Sequence, residues 1–168
     1  MKIHKDVTIN GKKHKKGDHV SGLFIYPFFM FHMAMFGGSG FFMAYGSAGP
    51  PSGFLFMHGG IAIVVYVMFY RVFFGVDQVK WMFINAGLGI LGIVSQIGWI
   101  LSLTGRQLSD YPWYVHIIPF IYFILYTFLL RQALLDLFRA RDNGRRQRRV
   151  ENVYVGLSLL IYLLTLAA

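Results

Sequence analysis

Six histidines and eight methionines, in a chain of 168 residues without cysteine, are the side chains that could ligate a soft metal ion or a haem iron. His58 and His116 each lie a few residues inside a long apolar stretch, and both stretches start on the same side of an alternating pattern of polar breaks. The two histidines are therefore expected at a common depth. Two imidazoles facing each other from non-adjacent helices are the ligation that a b-type haem uses, and Gly59 and Gly60 would leave room for a flat macrocycle. The simpler alternative is that each imidazole hydrogen-bonds to its neighbours.

A second candidate is copper(I), for which Met30, His32 and Met33, with Met35 and Met57, offer thioether and imidazole groups of suitable softness. On a helix Met30 and Met33 share a face, whereas His32 and Met35 lie on another, and methionine also fills gaps in packed helices. Acids are missing from these stretches: every Asp and Glu falls at a helix end or in a loop. A proton relay would have to rest on His32 alone. Ser39, Ser95, Ser102 and Ser158 lack the acid that would orient a histidine for nucleophile activation, so hydrolytic catalysis is not expected. The missing cysteines exclude disulfides, thiolate metal sites and thiol catalysis.

The elements that must position these groups are five apolar blocks, at about 22–46, 54–74, 81–103, 113–135 and 150–168. Each is close to the ~20 residues a helix needs to cross about 30 Å of hydrocarbon. With 56% hydrophobic and 18% aromatic residues, the chain exceeds what a soluble domain of its size needs. The expected fold is an all-α integral membrane protein, a single five-helix transmembrane domain over residues 21–168, preceded by a basic arm of residues 1–20. The first block is too long and too Phe-rich for a removable signal peptide and is expected to be retained.

Orientation follows from the basic residues. Lys2, Lys5, Lys12, Lys13, Lys15 and Lys16 precede the first block, Arg71 and Lys80 flank the second break, and Arg139, Arg141, Arg145, Arg146, Arg148 and Arg149 fill the fourth. The other two breaks hold Arg106, balanced by Asp110. The positive-inside rule then puts the N-terminus in the cytoplasm and the C-terminus outside, in a bacterial inner membrane. The net charge of +9 is explained by that asymmetry. Arg145, Arg146, Arg148 and Arg149 are expected to meet anionic lipid headgroups or a protein partner, and no nucleic acid is expected.

Two stripes at helical spacing mark inward faces: Tyr26, Met30, Met33, Gly37, Gly40 and Ala44 in the first helix, and Asn85, Gly89, Gly92, Gln96 and Trp99 in the third. Ser39, His58, Gln96 and His116 would form a polar layer, and Asn85 is a further intramembrane polar group on the stripe of Gln96. Pro27 and Pro119 fall inside helices and can kink them. Gly49, Pro50, Pro51 and Gly53 suggest a tight turn between the first two helices. In the arm, Val7-Thr8-Ile9 followed by Asn10-Gly11 signals a short hairpin, although the lysine-rich second strand offers almost no apolar face. Together these features lead to a small non-enzymatic membrane subunit or accessory protein of a larger inner-membrane complex. The alternatives are a haem-binding electron-transfer protein using His58 and His116, and an oligomeric channel or lipid-handling protein.

Overall fold

The protein is described by a computed structural model covering residues 1–9, 11–46 and 51–167. Asn10, Gly49, Pro50 and Ala168, on which the hairpin turn, the tight connection and the end of the last helix depend, lie outside the described residues. A short antiparallel pair, β1 (Val7–Ile9) with β2 (Lys12–His14), precedes the helices α1 (Gly22–Tyr45), α2 (Ser52–Phe73), α3 (Val76–Val79) and α4 (Trp81–Gly92). A π-turn at Ile93–Ile97 joins α4 to α5 (Gly98–Ser102), and α6 (Ile117–Leu137) and α7 (Gly144–Ala167) complete the chain. Among the described residues five helices are long and apolar enough to cross a membrane, with residues 76–102 forming one continuous helical run. The chain is a multi-pass membrane protein by this measure.

Two boundaries differ from the hydropathy blocks for physical reasons. α7 begins at Gly144, six residues before its apolar block, because Arg145 to Arg149 are good helix formers whatever their polarity. Asn143 caps it, its side chain accepting from the Arg146 N–H at 3.0 Å. Pro119 does not interrupt a helix: a 3₁₀ turn at Trp113–His116 gives way to α6 at Ile117. Pro119 therefore stands in the first α-helical turn, where a missing N–H is tolerated.

α6 is the centre of the bundle and packs against α1, α2, α4 and α7. Glycines on three of those neighbours receive its side chains. A Cβ on Gly40 of α1 would come within 2.7 Å of Ile118, one on Gly59 of α2 within 2.7 Å of Ile121, and one on Gly92 of α4 within 2.6 Å of Phe123. These approaches are the small-residue packing that joins apolar helices closely. Met33, Gly40 and Ala44 of the expected α1 stripe are buried, whereas Met30 is 40% exposed. On α4, Asn85, Gly89 and Gly92 are buried as the stripe predicts. From the π-turn onward the stripe fails: Ser95 and Leu101 are buried, while Gln96 and Trp99 face out. A π-turn takes an extra residue per turn and so rotates the helix beyond it.

The glycine slots can be tested by filling one. Gly92→Ala is expected to cost about 1–3 kcal/mol, since Phe123 must move to admit the methyl group. Combining it with Phe123→Leu should recover part of that loss. Thermal unfolding of the two variants in detergent checks this, and a Gly92→Ala chain as stable as the original would contradict the packing described.

Candidate functional site

Most of the protein's organised polar chemistry sits where α6 ends. Arg131 is fully buried there. Its guanidinium pairs with Glu151 of α7, donates from Nη1 to Gln78 Oε1 of α3 at 2.9 Å, and lies over the Trp81 ring at 3.9 Å from the centroid. About one turn further along, Asp136 accepts from the Tyr26 hydroxyl of α1 and pairs with Arg141. Arg141 comes from the loop after α6, and it also donates to the Gln132 side chain at 2.8 Å and to the Gln132 carbonyl at 3.1 Å. That loop turns back because Arg139 takes a left-handed conformation, φ 48°, after which the Ala140 N–H returns to the Leu135 carbonyl at 2.8 Å. Five helices and a loop thus meet on two guanidinium–carboxylate pairs.

The arm docks against the same end. Ile3 is buried, the Met1 ammonium donates to the Val20 carbonyl at 2.9 Å, and the His4 N–H donates to the Val72 carbonyl at 2.8 Å. His4 sets its ring against Gly75, where φ is 88° and a Cβ would lie 2.9 Å from Nδ1. Partial burial, with Arg141, Lys16 and Lys2 nearby, lowers the His4 pKa below its ordinary value. A cavity of about 220 Å³ remains between arm and bundle, lined in part by Lys2, His4, Gln78, Arg141 and Asp142.

The expected ligand residues are distributed differently. His116 donates from Nε2 to the Leu108 carbonyl at 3.2 Å and faces the Tyr45 hydroxyl with Nδ1 at 2.8 Å, so both ring nitrogens are engaged. His58 sets Nε2 3.3 Å from the Tyr122 hydroxyl and lines a groove of about 300 Å³ between α1 and α2. The second imidazole of that groove is His32, whose Nδ1 is 2.8 Å from the Phe28 carbonyl. His58 and His116 thus bond to different partners, Tyr122 for the one and Tyr45 with Leu108 for the other. Met30 and Met33 line another groove, beside Gly92 and Gln96, while His32 lines the groove of His58. Among the described residues no three His, Asp or Glu side chains cluster as a metal site.

Comparisons with protein-family models, characterised proteins and solved structures give no match.

The expected polar layer is likewise divided. Ser39 is exposed and bonds its own helix at the Phe36 carbonyl, 2.9 Å away. Asn85 is fully buried and accepts from Tyr154 of α7 at 3.4 Å, while the same hydroxyl reaches the Thr127 carbonyl of α6 at 3.3 Å. Arg145, Arg146, Arg148 and Arg149 are exposed along the first turns of α7. Spacing and hydropathy do not single out Arg131, Gln132, Asp136, Arg141 and Glu151 as a cluster. A signal was present: Arg131 lies inside an apolar block, and Glu151 opens the next one at a comparable distance from the shared loop.

Removing one member of the buried pair should expose the cost of the other. Arg131→Ala or Glu151→Ala is expected to destabilise the bundle by about 3–5 kcal/mol, whereas a double replacement by methionine should cost far less. Thermal unfolding of the three variants measures the difference. Additive losses in the double variant would show that the two side chains are not coupled.

Proposed function

We propose that the chain is a small non-enzymatic integral membrane subunit that docks beside a larger membrane protein, with its arm end in the cytoplasm of a bacterial inner membrane. One observation carries the docking. Gln96, on the π-turn, is exposed and its side chain forms no hydrogen bond among the described residues. It stands six residues before Ser102, about 9 Å inside the end of that helical run. Hydrocarbon offers an amide no partner, and such groups in membrane helices face protein or water.

The surroundings of Gln96 suit a second helix. It shares a groove of about 280 Å³ with Ala34, Gly37 and Gly38 of α1, and a Cβ on Gly38 would meet nothing within 4 Å. Small residues admit a helix backbone at close range, and an amide beside them can bond across the contact. A transmembrane helix carrying a hydroxyl or amide group is the occupant that this chemistry fits. The orientation rests on charge: the arm, the turn before α4 and the loop before α7 share one end, and most Lys and Arg lie there.

Purification in mild detergent should recover a stoichiometric membrane partner. Gln96→Leu and Gly38→Trp are each expected to weaken that association roughly 3- to 30-fold, the range spanned by one interhelical hydrogen bond. Unchanged recovery in both variants, or a lone monomer with full cellular function, would sink the assignment. For the orientation, single cysteines at Lys13 and Gly105 in the cysteine-free chain are probed with an impermeant maleimide. Gly105→Cys should label in intact cells and Lys13→Cys only after lysis, the reverse order being decisive against it.

A further inference from the structure

A groove of about 770 Å³ runs between the last part of α6 and α7, walled by Leu130, Leu134 and Phe138 on one side and by Val153, Leu157 and Ile161 on the other. Arg146 and Arg149 line its mouth at the arm end. From Arg149 to Ile161 the wall is about 18 Å long, close to the ~15 Å depth of one hydrocarbon leaflet. The apolar length and the charged mouth therefore match the two parts of one lipid molecule.

Charge decides which lipid. Among the described residues Arg146 and Arg149 form no ion pair, and Glu151, the nearest acid on their helix, is committed to Arg131. The one additional contact is long, Arg146 Nη1 to the Arg139 carbonyl at 3.5 Å. Two guanidinium groups three residues apart on one helix face present the planar donors that bind a phosphate diester. They lie in the first turns of a 24-residue helix, whose dipole adds to their attraction for an anion. We propose that this groove binds one anionic phospholipid, its phosphate between Arg146 and Arg149 and one acyl chain along the α6–α7 wall. The site needs the bundle to lie in a membrane but is independent of the partner contact at Gln96.

The test uses the full chain, delipidated in detergent, titrated with phosphatidylglycerol or phosphatidylcholine and read by native mass spectrometry. One equivalent of phosphatidylglycerol should bind at least tenfold more tightly than phosphatidylcholine. Arg146→Gln with Arg149→Gln should weaken it roughly 30-fold, about fivefold for each arginine at headgroup level. Arg145→Gln with Arg148→Gln removes the same charge just outside the groove and should change binding less than threefold. Leu157→Trp, with every arginine kept, should block the site by filling it. Equal binding of the two lipids, equal losses from the two double variants, or full binding in Leu157→Trp would each overturn the proposal. So would a photo-crosslinker at Leu157 that captures a protein chain in native membranes.

Discussion

The bundle depends on one helix being approached closely from several sides. α6 sends Ile118, Ile121 and Phe123 into positions where α1, α2 and α4 have no Cβ, so that each neighbour settles against it at backbone range. In an apolar medium burial alone gives helices little reason to associate, and van der Waals contact at such slots is what remains. α1, α2 and α4 pack on α6 more than on one another, while α7 leans mainly on the third helical run. Lateral grooves are the geometric result: between α1 and α2 at His32 and His58, between α1 and the π-turn at Gln96, and between α6 and α7 at Leu134 and Leu157.

The same central position explains why charge is tolerated at the end of α6. Surrounded by other helices, Arg131 and Asp136 cannot turn fully to water, and each must find a partner of opposite charge. Glu151 and Arg141 supply them from α7 and the loop before it, which fixes how far α7 can slide along α6. Tyr26 carries the network to α1, and Gln78 and Trp81 carry it to the start of the third helical run. The arm then closes over this end through Ile3 and the His4 N–H. Slots hold the apolar length of the bundle and ion pairs hold its polar end.

Hydropathy made the five helices legible because length and apolar content leave few other readings. It could not show where α7 starts, since arginines that end a hydrophobic block continue a helix without strain. Periodicity placed Asn85, Gly89 and Gly92 on a buried face, and it failed at Gln96 because a π-turn has no reliable signature in residue type. The directions in which the histidines point were not legible. His116 is turned toward Tyr45 and Leu108 by a 3₁₀ turn that precedes α6, and no spacing rule reports that. Arg131 was hidden by its own surroundings, because one charge in an apolar block leaves the average almost unchanged.

A division among the basic residues connects these points to function. Arg131 and Arg141 each face a carboxylate within the fold, and their charge is spent on position. Arg145, Arg146, Arg148 and Arg149 face no acid in the described structure and stay exposed at the start of α7. Much of the net charge of +9 therefore belongs to groups that form no ion pair among the described residues. Gln96 repeats the pattern without charge, as a polar group that the fold leaves open beside two glycines. A chain of this size that satisfied all its polar groups internally would have little to offer a neighbour. This one pairs the charges that set its helix register and leaves Gln96, Arg146 and Arg149 along its grooves.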